Sequence, residues 1–124
     1  MYQLFLDGEF LGTTALERAD PPMGVVFGVI QFKDANSVYD RVKDYCLKKG
    51  VKIVYDYPQD KLIQTSSIPN LVVMNEHGNS IDGSGASIEG MDSGSFDVVI
   101  CGIPSMLYES EFSHHLRAYE QQFK

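Results

Sequence analysis

The chain has 124 residues, of which 44% are hydrophobic and 22% are charged. This length and balance are typical of one ordinary globular domain and leave no room for a second independent core. Lys and Arg together number 10 against 17 Asp and Glu, which gives a formal net charge of −7 at pH 7. An acidic chain repels phosphate groups, so nucleic acids and anionic membranes are excluded as favoured partners, and a cationic partner is expected.

Cysteine usage and the first residues indicate the compartment. Cys46 and Cys101 each lie inside a stretch with the pattern of regular structure, which predicts reduced, buried thiols and no disulfide framework. The segment Met1 to Asp7 has no basic region and only a short apolar run, unlike a signal peptide. No window approaches the ~18 consecutive apolar residues of a transmembrane helix. We therefore expect a soluble cytoplasmic protein.

The first part of the chain predicts strands. Tyr2 to Leu6 and Glu9 to Leu16 flank Asp7-Gly8, a dipeptide that favours the two-residue turn of a β-hairpin. Pro21-Pro22 then interrupts the ladder, because proline has a fixed φ and no N–H to donate. The stretch from Val25 to Phe32 resumes as a third strand.

An amphipathic helix is predicted next. From Ala35 to Lys49, apolar and aromatic residues recur at helical spacing. Asp34 or Asn36 is placed to cap its beginning, and Gly50 is placed to end it.

Strands return after this helix. Val51 to Tyr55 is a short β-branched run, and Leu71 to Met74 with Ser80 to Asp82 predicts a second hairpin with a longer turn. The segment from Gly83 to Ser95 is rich in glycine and serine, which predicts a mobile loop holding at most one short strand at Ala86 to Glu89.

The C-terminal part predicts a buried strand from Phe96 to Ile103 and, after Pro104, a packed helix. The apolar stripe of this helix is formed by Tyr108, Phe112, His115, Leu116, Tyr119 and Phe123. Phe112 and Leu116 are expected to be core residues that face the preceding strand. The predicted order is therefore β-β-β-α-β-β-β-β-α in one domain spanning residues 1–124. It indicates an α+β fold, a mainly antiparallel sheet with two amphipathic helices covering one face.

Sequence motifs for catalysis are missing. No serine has glycine at both −2 and +2, as a nucleophile elbow requires. Gly83-Ser84-Gly85 continues to Ile88 where a dinucleotide-binding motif needs its third glycine. There is no Lys or Arg between Lys61 and Arg117 to act as a P-loop lysine. We therefore expect no catalytic residue, no cofactor and no enzymatic activity.

Metal binding and thiol chemistry are also disfavoured. Glu111 and His115 are four residues apart, with His114 adjacent, so two ligands could share one helix face. A tight site needs three or four ligands, and His115 falls within the apolar stripe, which favours a hydrogen-bonded interface histidine. Cys46 and Cys101 are interpreted as core thiols, not nucleophiles.

Charge segregation is the most distinctive feature of the sequence. Residues 66–124 hold eight acidic side chains against Arg117 and Lys124, a net charge of −6. An acidic surface that is not neutralised locally steers cationic partners toward it, although it also serves solubility. The carboxylates expected to contact a partner are Asp82, Glu89, Asp92 and Asp97. Glu109 and Glu111 are secondary candidates for the same contact. The Gly83 to Ser95 loop is expected to become ordered on binding.

Three segments together resemble small uncharacterised bacterial proteins. They are Leu6-Asp7-Gly8 through Leu16-Glu17, the segment Asp20 to Gly24 with Gly28, and Cys101-Gly102-Ile103-Pro104 through Tyr108, Phe112, His115, Tyr119 and Phe123. The chain is short, acidic and without catalytic motifs. In this it is similar in kind to the immunity proteins that neutralise toxins in interbacterial competition. The resemblance implies a binding role and brings no catalytic residue with it.

Two functional hypotheses follow. The first is a cytoplasmic immunity protein whose carboxylates cap a cationic toxin domain such as a nuclease. The alternative is a small-molecule-binding protein or enzyme with an aromatic pocket between the sheet and the two helices. That pocket would collect Tyr39, Tyr45, Tyr108 and His115.

Overall fold

The computed structural model describes residues 1–123, and this part of the chain contains nine strands and three α-helices. The strands are β1 (Tyr2–Leu6), β2 (Glu9–Thr14), β3 (Arg18–Asp20), β4 (Val25–Phe32), β5 (Ile53–Tyr57), β6 (Leu62–Thr65), β7 (Leu71–Met74), β8 (Gly85–Met91) and β9 (Phe96–Cys101). The helices are α1 (Val38–Lys49), α2 (Ser105–Glu111) and α3 (Ser113–Gln121). Two 3-10 turns, Pro21–Met23 and Pro58–Asp60, each begin with a proline.

The strands form one antiparallel sheet. Its order is β5-β6-β8-β9-β4-β2-β1-β7, and β3 pairs with β4 beside this path. The sheet curls so that β7 contacts β8. The segment between β6 and β7 joins this closure, because Ile68 N donates to the Ala86 carbonyl at 2.8 Å. The predicted α+β fold with a mainly antiparallel sheet is confirmed.

The turn between β1 and β2 is the predicted two-residue hairpin. Leu6 pairs with Glu9, so only Asp7 and Gly8 lie between the strands. Both turn residues have positive φ, 51° and 81°, which is the requirement of the type I′ turn.

Strand β4 belongs to two parts of the sheet, and Gly28 lies where the two parts meet. The first part of β4 pairs with β3 and β9, whereas its last residues pair with β2. A Cβ at Gly28 would lie 2.8 Å from the Leu16 Cα, so the chain between β2 and β3 passes too close for any side chain. The kink is held by two hydrogen bonds: Leu16 N donates to Thr14 Oγ1, and Val29 N donates to Glu17 Oε2.

The helices lie at opposite ends of the curled sheet. At the end where β1 turns into β2, Tyr45 of α1 donates from its hydroxyl to Asp7 at 3.2 Å. At the other end, the Tyr108 hydroxyl of α2 donates to the Val25 carbonyl at 3.0 Å. His115 of α3 bonds the Leu16 carbonyl through Nε2 at 2.8 Å. None of the helices within residues 1–123 is long and apolar enough to cross a membrane.

The strand predictions need several corrections. The predicted strand Ser80 to Asp82 is reduced to a single bridge between Ser80 and Met74, so residues 1–123 contain only the first strand of the predicted second hairpin. The predicted strand Glu9 to Leu16 ends at Thr14, because the kink beside Gly28 sends the chain into the separate strand β3. Strand β6 was not predicted, since its four residues show no clear alternation. The segment predicted as a Gly83 to Ser95 loop is largely β8, which hydrogen-bonds to β6 on one side and β9 on the other.

The bounds of two further strands differ from the prediction. The run predicted as Val51 to Tyr55 is shifted, since β5 begins at Ile53 and extends to Tyr57. The predicted strand Phe96 to Ile103 stops at Cys101, because Gly102 turns the chain with a φ of 62°.

The beginning of α1 also differs from the prediction. The helix starts at Val38, and its N-cap residue is Ser37, whose side chain makes no capping bond. Asp34 instead accepts a hydrogen bond from the Asn36 N–H in the preceding turn. The C-terminal prediction is confirmed, since Gly50 ends the helix in the left-handed conformation with a φ of 70°.

The predicted single C-terminal helix is two helices. The chain pivots at Phe112, whose φ of −120° is not helical, and this places the Phe112 ring beside Tyr2, Tyr108 and His115. Phe112 is fully buried, as predicted, but Leu116 is only partly buried. Phe123 is 71% exposed, so its predicted place in the apolar stripe is wrong.

The two cysteines differ. Cys46 is buried in α1, as predicted, whereas Cys101 is exposed. Cys101 is exposed because it alternates with the buried Ile100 and so points away from the core at the end of β9.

Phe112 is predicted to be the main anchor of the C-terminal helices. Because the ring is fully buried, Phe112→Ala should lower the free energy of unfolding by about 3–5 kcal/mol. The matched control Phe123→Ala removes the same side chain from an exposed position and should change it by less than about 0.5 kcal/mol. Urea unfolding measures both values, and equal midpoints for the two variants would show that the helices contribute no core packing.

Candidate partner-binding surface

The six carboxylates predicted to bind a partner do not form one surface. Two of them, Glu89 and Asp97, are brought together, whereas Asp92 and Glu111 make hydrogen bonds within the fold. Asp82 is exposed beside a cavity between β7 and β8, and Glu109 is exposed on α2.

Asp92 caps helix α1 from a distant part of the chain. Its Oδ1 accepts the Tyr39 N–H at 2.9 Å, and Tyr39 is in the first turn of the helix. The Asp92 N–H in turn donates to the Lys61 carbonyl at 3.2 Å. A carboxylate at a helix N-terminus accepts a hydrogen bond from a free N–H and interacts favourably with the positive end of the helix dipole. Asp92 therefore has a structural role as the cap of helix α1.

Glu111 connects α2 to the ends of two strands. It accepts hydrogen bonds from the Tyr2 hydroxyl at 2.9 Å and from Asn75 Nδ2 at 3.3 Å. Burial, and then the bond to Glu111, raises the pKa of Tyr2 well above its ordinary value. The phenol therefore stays protonated as a donor, and Glu111 is engaged in this structural contact.

Glu89 and Asp97 face each other directly across β8 and β9. Arg18 Nη2 lies 2.7 Å from Asp97 Oδ2, and its guanidinium sits 4.8 Å from the centre of the Phe27 ring. The other carboxylate oxygen of Asp97, Oδ1, is buried and has no hydrogen-bond partner among the described residues. Like charges directly opposite each other destabilise a sheet, and Arg18 pairs with one of these two carboxylates, that of Asp97.

These carboxylates belong to a row that crosses five strands. Cross-strand register aligns Tyr55 of β5, Gln64 of β6, Glu89 of β8, Asp97 of β9 and Val29 of β4. We call the side of the sheet that carries this row the outer face. It also carries Arg18, Phe27, Tyr57, Leu62, Ser87 and Val99.

Helix α1 lies on the opposite side of β5. Tyr39 of α1 bonds Asp56, which alternates along the strand with Tyr55 and Tyr57. The two outer-face tyrosines are 51% and 53% exposed, and their rings stack with centres 6.3 Å apart. These tyrosines were not among the predicted site residues, although the alternation of aromatic residues along Ile53–Tyr57 is a signal for them.

His115 is a hydrogen-bonded interface histidine, as predicted. His115 donates from Nε2 to the Leu16 carbonyl, and its ring lies 4.1 Å from that of His114. Burial, and then the neighbouring His115, lowers the pKa of His114 below 6.5. Among residues 1–123, no three His, Cys, Asp or Glu side chains are grouped so as to hold a metal ion.

The aromatic residues of the alternative hypothesis are not collected in one pocket. Tyr45 lines a cavity of about 480 Å³ beside the β1–β2 turn. Tyr108 lines a different cavity, of about 410 Å³, at the other end of the sheet. Tyr39 is buried against Asp56, and His115 is bonded to Leu16.

A charged network fixes α1 to β5. Lys43 Nζ lies 2.8 Å from Asp56 Oδ2, and the Tyr39 hydroxyl donates to Asp56 Oδ1. Lys61 Nζ lies 5.3 Å from the centre of the Tyr39 ring. The bond from Lys43, and then that from Tyr39, holds the pKa of Asp56 below its usual value of 3.8.

Comparison of the chain with protein-family models, with curated proteins and with solved structures found no match.

Asp92 is predicted to stabilise the fold through its capping bond. Asp92→Ala should lower the free energy of unfolding by about 1 kcal/mol, because the N–H of Tyr39 loses its acceptor. Asp82→Ala removes an exposed carboxylate from the same predicted set and should change it by less than about 0.5 kcal/mol. Thermal and urea unfolding test the pair, and an equal effect of both substitutions would contradict the capping role.

Asp56 is predicted to make stability depend on pH in acid. Its folded pKa lies below the unfolded one, so its contribution is present above the unfolded pKa and is lost as the pH falls through the folded pKa. Asp56→Asn should therefore lower stability at neutral pH and flatten the fall of stability below pH 3.8. The exposed Asp60→Asn is the control, and an unchanged acid limb in urea unfolding of Asp56→Asn would refute the prediction.

Proposed function

We propose that this chain is a non-catalytic binding protein that docks the outer face of its sheet on a basic protein surface. Its most concrete form is an immunity protein that caps a cationic toxin domain in interbacterial competition. The observation that carries the proposal is the direct opposition of Glu89 and Asp97 on the outer face, where Arg18 forms an ion pair with Asp97.

The electrostatics of this pair favour a cationic ligand. Arg18 occupies Oδ2 of Asp97, while Oδ1 has no partner among the described residues. A lysine or arginine side chain docked beside Glu89 would bring a second cation to the pair and relieve the cross-strand repulsion. Repulsion between the two carboxylates lowers the stability of the free protein, and a basic partner would relieve this repulsion on binding.

The apolar part of the outer face provides anchors next to these charges. Tyr55 and Tyr57 are exposed and stacked, and Val29 is exposed at the other end of the row. Aromatic residues are enriched at the centres of interfaces, because they bury a large area and lose little side-chain entropy. A row of carboxylates flanked by tyrosines and valine has the mixed character of a protein interface.

The charge of the chain supports the same class of partner. With a net charge of −7, the protein attracts basic proteins at long range. The cleft of a nuclease must itself be cationic to hold nucleic acid, so carboxylates on the outer face would take the place of phosphates. A nuclease-type toxin domain is therefore the most specific partner class that we propose.

Growth protection tests the immunity role. The candidate toxin for this test is the C-terminal domain of the protein encoded beside the gene of this chain, expressed in a bacterial host with or without the chain. We expect the host to form colonies only when the chain is present. A host that grows no better with the chain than without it would overturn the immunity role.

Charge reversal on the outer face is predicted to slow association. Glu89→Lys should reduce the association rate constant with the toxin domain about tenfold and flatten its salt dependence, because steering depends on the local field. Asp44→Lys makes the same charge change on α1 and should reduce the rate less than about twofold. Surface-based kinetics measure both variants.

Two kinetic outcomes would contradict the use of the outer face. One is equal association rates for Glu89→Lys and Asp44→Lys. The other is a wild-type rate that does not change between about 50 mM and about 500 mM salt, since screening must weaken an electrostatically steered encounter.

A further inference from the structure

A groove at the α2–α3 end of the sheet has a different character from the outer face. It has a volume of about 410 Å³ and lies between the Pro21–Met23 turn and the segment that leads from β9 into α2. Its walls include Pro21, Pro22, Pro104, Tyr108 and Leu116, and Glu109 is the charged residue among the described residues that line it. We call this cavity the proline groove.

The walls are largely apolar and carry the Glu109 carboxylate, with the Ser105 hydroxyl as a further donor or acceptor. The three prolines have no N–H, so these parts of the backbone offer no donor. The Tyr108 hydroxyl is already used, since it donates to the Val25 carbonyl at 3.0 Å. The Glu109 carboxylate is exposed and can accept from a cation.

A second carboxylate adds to the negative field. Asp20 immediately precedes the Pro21–Met23 turn and is exposed. Its charge, after burial, raises the pKa of Tyr108, which indicates that its field reaches the groove. Met23 is 68% exposed on the same turn and gives the groove an apolar rim.

The proline groove is continuous with the outer face. Arg18, which contacts Asp97, and Asp20, beside the groove, are the two ends of strand β3. A protein that covers Asp97 and Arg18 therefore reaches the groove along a strand of three residues.

We infer that the proline groove binds an extended peptide segment in which a lysine or arginine is flanked by apolar residues. The apolar residues would lie against the prolines, Met23 and Leu116, while the basic side chain meets Glu109. This inference deepens the proposed function by naming a second contact of the same partner. It rests on that proposal only for the origin of the segment.

A random-peptide display library tests the inference without any partner protein. Selection on the wild-type chain should enrich peptides with a basic residue between apolar ones. The most enriched peptide is then synthesised, labelled with fluorescein and titrated by fluorescence anisotropy against folded variants, whose folding is checked by circular dichroism.

Glu109→Lys should weaken binding of the selected peptide about tenfold, which corresponds to about 1.4 kcal/mol. Met23→Lys, on the rim of the groove, should also weaken it. Asp44→Lys, an equal charge change on the exposed surface of α1 at the opposite end of the sheet, should leave the affinity within about twofold, because surface charges at a distance are screened.

The remaining outcomes separate this inference from the proposed function. A peptide that no longer binds the Glu89→Lys variant but still binds the Glu109→Lys variant would occupy the outer face. That result would support the proposed function and overturn the inference about the proline groove. No enrichment, enrichment without a basic residue, or equal binding to Glu109→Lys and Asp44→Lys would also overturn the groove. None of these three results bears on the outer face.

Discussion

The close approach of β4 to the chain between β2 and β3 is the constraint on which the rest of the structure depends. Strand β4 hydrogen-bonds to three other strands, and this is possible because Gly28 lets Leu16 pass within van der Waals reach of the backbone. Leu16 is fully buried and has a φ of 46°, an unfavourable conformation for a side chain of this size. Its N–H bonds Thr14 and its carbonyl bonds His115, so the kink is held from both sides.

This kink also determines where both proposed binding surfaces lie. Because the chain turns after Thr14, β3 forms beside β4 and places Arg18 over Phe27, next to Asp97. The same strand delivers the chain to the Pro21–Met23 turn, which forms one wall of the proline groove. A change that straightened the kink would therefore disturb the charge pair and the groove together.

The sequence predicted the local features well, because each depends on neighbouring residues. The Asp7-Gly8 turn and strand Val25–Phe32 have the predicted positions, and Gly50 ends α1. The pivot at Phe112 could not be predicted, since no proline or glycine marks it and the apolar spacing continues through it. Burial of the ring against Tyr2, which lies more than a hundred residues away, decides that geometry.

The candidate site was predictable in composition but not in arrangement. Glu89 and Asp97 were selected as acidic residues, but their opposition depends on the register of β8 and β9. Asp92 was selected for the same reason, and only its distant contact with Tyr39 reveals it as a helix cap. Charge patterning finds carboxylates on a chain; tertiary contacts decide which of them are free to meet a partner.

The contrast between the two cysteines makes the protein suitable for site-specific labelling. Cys46 is buried, and burial raises the pKa of its thiol, so both access and thiolate formation are reduced. Cys101 is exposed at the end of β9, immediately before Gly102 of the proline groove and four residues after Asp97. A maleimide fluorophore would therefore attach at Cys101 in the native protein, at a point that borders both proposed surfaces. One dye at this position would report occupancy of either surface without any engineered cysteine.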